Sequence, residues 1–157
     1  MTRTWTFRRS SVVPAPPHVV WNRVVTPDGI NDERRPWMTM SIPRGTDGVS
    51  IDTLLVGVPI GRAWLRLFGV VPFDFDHLQL SHVEPGRRFL EESSMISMRS
   101  WIHDRTVEAE GDGARVTDVV TFTPRAVLRP AGPVLARVVA AFFRHRHRRL
   151  VAHFAVS

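Results

Sequence analysis

His103, Arg105 and Asp118 lie on two segments joined by Gly111-Asp112-Gly113, and Arg146 and His153 interrupt an otherwise apolar stretch near the C-terminus. Asp-Gly between two runs of alternating residues is a strong two-residue hairpin signal, and it sets the register of the strands it joins. Closing the loop at Asp112-Gly113 pairs Gly111 with Ala114 and places Val107 opposite Asp118, Arg105 opposite Val120 and His103 opposite Phe122. One face then carries Trp101, His103, Arg105, Val107 and Ala109 beside Val116, Asp118, Val120 and Phe122; the other carries Asp104, Thr106, Glu108 and Glu110 beside Arg115, Thr117 and Thr121. The second face is the wet one, so His103, Arg105 and Asp118 should point inward.

An inward Arg and Asp need each other, because an unpaired buried charge costs several kcal/mol. Arg105 and Asp118 come out as diagonal neighbours, within reach as an ion pair that fixes the sheet or as part of a ligand site. His103 has the titration range for acid or base work such as enolisation, and it is the best catalytic candidate, against the plainer reading of a satisfied core histidine. Glu91 and Glu92 also stand on a strand, but a bulge near Pro85-Gly86 would exchange their faces.

Metal chemistry is poorly served. His145 and His147 are two apart on a helix and diverge, and Asp74, Asp76 and His77 cluster at one junction with no second half. None of the nucleotide-loop, zinc-protease or serine-hydrolase patterns occurs, and no cofactor or metal is expected.

These side chains need elements to hold them. Trp5–Val13 reads as a first strand; Val19, Val20, Trp21, Val24 and Val25 fall at helical spacing, and Thr26-Pro27-Asp28-Gly29 breaks that helix. A second short helix spans Ile30–Arg35, then a short strand Trp37–Ile42. Residues 43–61 are irregular yet apolar, which suits a lid over a pocket or an ordinary strand between turns. Strands follow at 62–70, 74–83, 88–94, 98–110 and 114–123, separated by turn signals in the manner of an antiparallel meander. After Pro124 the period changes to helical, and the final helix covers about 133–155, roughly 34 Å long. Leu135, Val138, Val139, Phe142, Phe143, Leu150 and Phe154 form its apolar stripe, with Arg137, Arg144 and Arg148 opposite. Arg146 falls inside that stripe, with His153 below it and His147 at its edge. It either pairs with an inward carboxylate such as Asp118, Glu91 or Glu92, or holds an anionic ligand group.

The chain has 157 residues, 43% hydrophobic and 23% charged, with no cysteine, which excludes disulfides and thiolate chemistry. Arg3, Arg8 and Arg9 come without an apolar signal core, and the longest apolar run, Val138–Phe143, is far short of a membrane span, so a cytoplasmic protein is expected. The net charge is +6, and all 21 basic residues are arginine. They are scattered except for Arg144–Arg149, which the helix splits around its circumference, and no nucleic-acid-binding motif accompanies them. Nucleic acid is therefore not the expected partner.

Ala15-Pro16-Pro17-His18-Val19-Val20-Trp21, Pro27-Asp28-Gly29-Ile30-Asn31, Leu67-Phe68-Gly69-Val70, Val83-Glu84-Pro85-Gly86-Arg87-Arg88-Phe89 and Val116-Thr117-Asp118 occur in an order that resembles the START-like (SRPBCC) superfamily, across nearly the whole chain. That superfamily includes polyketide cyclases, lipid carriers and pollen-allergen-like proteins. The resemblance implies one α+β helix-grip domain over 1–157: a curved antiparallel sheet of six or seven strands around the long C-terminal helix, with two short helices after the first strand. It implies a cavity for a small hydrophobic or aromatic ligand, polyketide- or lipid-like, with a polar or anionic end. Trp101, His103, Arg105, Asp118, Val120, Phe122, Val139, Phe142 and Arg146 are the expected lining. An enzyme of the polyketide cyclase or dehydratase kind is the first alternative, and an interaction module that docks an acidic partner by its basic surface is the second; a homodimer is compatible with either.

Overall fold

The computed structural model describes residues 3–43 and 50–155. Seven antiparallel strands form one sheet in the order β1-β7-β6-β5-β4-β3-β2. They are β1 (Trp5–Val13), β2 (Met38–Met40), β3 (Pro59–Leu67), β4 (Val71–Glu84), β5 (Arg88–Met95), β6 (Met98–Glu110) and β7 (Gly113–Pro124). Helices α1 (Pro17–Val24) and α2 (Pro27–Arg34) follow β1, and α3 (Gly132–Ala155) closes the chain after a short 3-10 turn at Ala126–Ala131. The expected helix-grip arrangement is what the chain adopts.

Local sequence accounts for the elements that carry the site. Proline at the first position starts both α1 and α2, where a missing N–H costs nothing. Thr26-Pro27-Asp28-Gly29 ends α1 as expected and also begins α2, earlier than the expected Ile30: Thr26 Oγ1 accepts from Gly29 N at 3.1 Å and itself donates to Arg23 O at 2.8 Å. The corner is tight enough that a Cβ on Gly29 would lie 1.8 Å from Arg23 O. Asn31 then clamps β2, accepting from Met40 N at 2.7 Å and donating to Met40 O at 3.1 Å.

The β6–β7 hairpin differs from the sequence expectation by two positions. Glu110 pairs with Gly113, so the loop is Gly111-Asp112, and Gly111 takes the positive φ of 56° that the first position of a type II′ turn requires. Arg105 therefore stands directly opposite Asp118, and His103 opposite Val120. A shift of two preserves side-chain parity, so the inward face survives. The irregularity expected near Pro85-Gly86 sits between Leu80 and His82 instead. It leaves Glu91 inward and Glu92 outward, where Glu92 accepts from Ser81.

Of the irregular segment 43–61, residues 44–49 lie outside the described residues. Ile51–Thr53 form a 3-10 turn tied to α1 by Ile51 N to Val25 O (2.8 Å) and Trp21 Nε1 to Asp52 Oδ2 (3.0 Å), and 59–61 already belong to β3. Helix α3 buries Val139, Phe143, Arg146, His147, Leu150 and Phe154. Val138 and His153, expected inside the stripe, face solvent, because the buried stripe is centred on the Phe143–Leu150 side of the helix. Against the expectation from its continuous apolar run, Ala126–Ala155 is long and apolar enough to cross a membrane by length and composition. In this fold its inner face is held by the sheet.

The apolar interior divides in two. One cluster joins α1 to Leu80, Phe89, Val107, Leu150 and Phe154. The other gathers Leu65, Met95, Val120, Phe122, Val139 and Phe143 under the first half of α3.

Candidate functional site

Between these clusters lies a band of buried charge. Arg105 is fully buried on β6 and makes two forks. Nε and Nη2 donate to Asp118 Oδ1 and Oδ2, each at 2.7 Å, and Nη1 and Nη2 donate to Glu33 Oε2 and Oε1, each at 2.8 Å. Asp118 also accepts from His103 Nε2 and His147 Nε2, both at 2.7 Å, so each carboxylate oxygen accepts two hydrogen bonds. Ser11 Oγ meets the remaining ring nitrogen of His147 at 2.8 Å. Burial alone would raise both carboxyls, but Arg105, helped by Arg146 at Glu33 and by His103 at Asp118, holds Glu33 below and Asp118 well below their usual ranges. Burial would likewise lower Arg105, yet Asp118 and Glu33 keep it well above its ordinary value. This group is internally complete.

A small pocket of about 60 Å³ opens beside it, ringed by α2, β2, Ile51–Leu54, the inner face of β4–β6 and α3. Val24, Ile30, Met40, Leu54, Leu78 and Phe89 supply apolar wall; Arg34, Glu91, His103 and Arg146 supply its polar end. His103 lies edge-on between Phe89 (centroids 5.7 Å apart) and Phe143 (5.2 Å). Burial lowers its pKa against the pull of Asp118, so the ring is neutral, donates Nε2–H to Asp118, and keeps a lone pair on Nδ1. Directly across the strand pair stands Glu91.

The groups at this polar end are incompletely matched. Arg146 is 3% exposed, stacks its guanidinium 4.8 Å from the Phe143 ring centroid, and reaches Glu33 Oε1 only at 3.5 Å. Its Nε, the Nε of Arg34 and Oδ1 of Asp76 have no hydrogen-bond partner among the described residues. Burial pulls Arg146 down to about 10 despite Glu33. Burial pushes Glu91 well up, and the neighbouring Asp76 carboxyl pushes it further; burial raises Asp76 too, against the pull of Arg34.

Of the nine residues expected to line the cavity, His103 and Arg146 do so, and Arg105 and Asp118 lie behind it in the completed ion group. Trp101, Val120, Phe122, Val139 and Phe142 belong instead to the second apolar cluster around Phe143, because that part of the sheet is filled by the first half of α3. The carboxylate facing Arg146 most closely is Glu33, which the sequence reading passed over. Its helical spacing of three from buried Ile30 was the available signal. His147, placed at the stripe's edge, is 1% exposed and bonded to Asp118, while His145 points the other way to Arg35 O at 2.7 Å. The dense basic run is thus divided, as its helical spacing requires. No cluster of metal-ligating side chains occurs among the described residues.

A curled antiparallel sheet closed around one long helix, with a pocket between them, is the helix-grip fold. A START superfamily protein from Mycobacterium smegmatis matches with a TM-score of 0.67 at 8% identity, over 96% of this chain and 97% of that one. Ara h 8.0201 matches with a TM-score of 0.59 at 13% identity, over 96% and 99%. DynU16, a protein of the dynemicin biosynthetic locus, matches with a TM-score of 0.57 at 20% identity, over 92% of this chain and 46% of its own. At these identities the likeness is one of fold. By sequence, residues 11–154 match the family model described as Domain of unknown function (DUF8410), and the chain belongs to that family. No curated protein matches by sequence.

Proposed function

We propose that this protein binds a small, largely apolar or aromatic molecule, polyketide- or lipid-like, in the pocket between the sheet and α3, with the molecule's oxygen-bearing end against Arg146. The observation that carries this reading is the pocket's division into apolar wall and a polar end whose buried guanidinium has an unused N–H. Ligand sites are mostly apolar with a few convergent polar groups that set orientation. A buried donor without an acceptor costs roughly 1–3 kcal/mol, which a ligand oxygen would recover. Native mass spectrometry of the purified protein should find a co-purified small molecule, and Arg146→Met should leave a folded protein that no longer retains it. A variant that retains the molecule unchanged would remove Arg146 from recognition.

One observation favours a second reading, an enzyme of the polyketide cyclase or dehydratase kind, in line with the biosynthetic locus from which DynU16 comes. A neutral imidazole and a carboxyl that burial makes reluctant to ionise stand side by side at the pocket, His103 to accept a proton and Glu91 to give one. Turnover of a β-keto or β-hydroxy carbonyl panel, lost in His103→Gln, is the test. Binding without product formation counts against it.

A further inference from the structure

Glu91 and Asp76 sit 8% and 2% exposed on neighbouring strands, both inward, and burial raises both carboxyls. Two desolvated carboxyls on adjacent strands do not both ionise cheaply, so the pair favours holding a proton. Two arginines lie near it, Arg34 on α2 and Arg146 on α3, and both line the pocket. Arg34 forms no ion pair or side-chain hydrogen bond among the described residues, and Arg146 has only the long contact to a Glu33 already forked onto Arg105. The remaining charged and titratable groups around the pair are Glu33 beside Arg34, Asp74 beside Asp76 on β4, His103 and Arg105 on β6, and Asp118 on β7. Asp74 is occupied elsewhere, accepting from Ile96 N and Phe75 N at 2.8 Å each and from Ser97. Glu33 and Asp118 share the one guanidinium of Arg105 between them. What is left facing the pocket is two under-matched guanidiniums and one carboxyl pair with room for a second proton.

We infer that the polar end of the pocket is a carboxylate-recognition site framed by Arg34 and Arg146, and that a carboxylate ligand enters together with a proton taken up by the Asp76–Glu91 pair. This rests on the ligand-binding reading above and narrows its ligand class to apolar or aromatic carboxylic acids in their anionic form. The coupling follows from electrostatics. In the free protein the arginines help the pair carry a negative charge. A bound carboxylate engages those same N–H groups and adds a like charge nearby, so the pair is driven to full protonation. By linkage, affinity must then tighten as pH falls.

Two matched probe pairs test this: 2-naphthoate against 2-naphthamide, and decanoate against decanamide, titrated calorimetrically between about pH 6 and 8 in two buffers of different ionisation enthalpy. The carboxylate of at least one pair should bind about tenfold or more tighter than its amide at the low end. Its Kd should weaken by up to about tenfold per pH unit, with uptake approaching one proton per ligand. Glu91→Gln and Asp76→Asn, each checked by thermal melting, should flatten the pH slope and keep the carboxylate preference; Arg34→Met should reduce the preference. Equal binding of carboxylate and amide keeps the pocket and overturns the anion site. A carboxylate affinity independent of pH and buffer, in the wild type or with the slope unchanged in both acid-pair variants, overturns the proton coupling. Binding of neither pair overturns this inference and the ligand reading together.

Discussion

Two groups of buried charges meet under the middle of α3, and they are finished to different degrees. Arg105, Glu33, Asp118, His103 and His147 bond one another at 2.7 or 2.8 Å, with each carboxylate oxygen of Asp118 doubly engaged. Arg34, Arg146, Asp76 and Glu91 lie beside them, yet two guanidinium N–H groups and one carboxylate oxygen find no partner among the described residues. Desolvating a charge costs several kcal/mol, and only partners of good geometry return it. The first group recovers that cost within the protein, so it reads as architecture. The second recovers only part, so it reads as a place for something else. Completeness of bonding, more than depth of burial, separates the two.

The comparison breaks most visibly at Arg105. Arg105→Met strands Glu33 and Asp118 as buried charges and should cost about 3–5 kcal/mol in urea denaturation, enough to unfold a marginal domain. A loss below about 1 kcal/mol would erase the distinction. Glu33→Gln keeps one acceptor for the fork, and the expected cost is about 1.5–3 kcal/mol by the same measurement.

The two groups should also respond to pH with opposite sign. Glu33 and Asp118 sit below their usual values, so the stability they add is complete above the unfolded-state values and is lost as pH falls through the folded ones. Glu91 and Asp76 sit above theirs, so their contribution is complete below the unfolded-state values and is lost as pH rises through the folded ones. The stability of wild type relative to Glu91→Gln should therefore decline as pH rises from about 5 to 8, by about 1.4 kcal/mol per unit of displaced pKa. A difference that stays constant with pH would place Glu91 among the completed charges. The smallest effect belongs to the outer face, where Arg88 forks onto Asp104 at 2.9 and 2.7 Å with both side chains partly in water. Asp104→Asn should cost under about 1 kcal/mol.

Much of the completed group was legible because strand parity is robust. A hairpin register wrong by two still turns His103, Arg105 and Asp118 to the same face, and β6 and β7 kept their expected extent within a residue. The unfinished group was harder to see. Glu91 depended on where one bulge fell, and the bulge at Leu80–His82 carries no glycine or proline to announce it. Arg34 and Glu33 stand in Asp32-Glu33-Arg34-Arg35, a run that reads as a solvated helix end until the fold lays α2 against α3. In the sequence Asp76 reads only as part of a cluster at one strand junction, and its nearness to Glu91 on the next strand is not visible there. The five apolar residues assigned to the cavity wall were correctly judged inward, but periodicity gives a face and not a position along it, and the first half of α3 fills theirs.

Arg146 and His147 are neighbours in sequence, and both are buried. On a helix they point about 100° apart, one toward Glu33 and the Phe143 ring, the other into Asp118 and Ser11. An apolar stripe tolerates a small roll, as a smooth axle does in its bearing. These two side chains act as a key in a slot: α3 cannot turn about its own axis without shearing both contacts. The axle is therefore fixed in rotation. The rest of the pocket wall, from α2, β2 and Ile51–Leu54, is not part of that key.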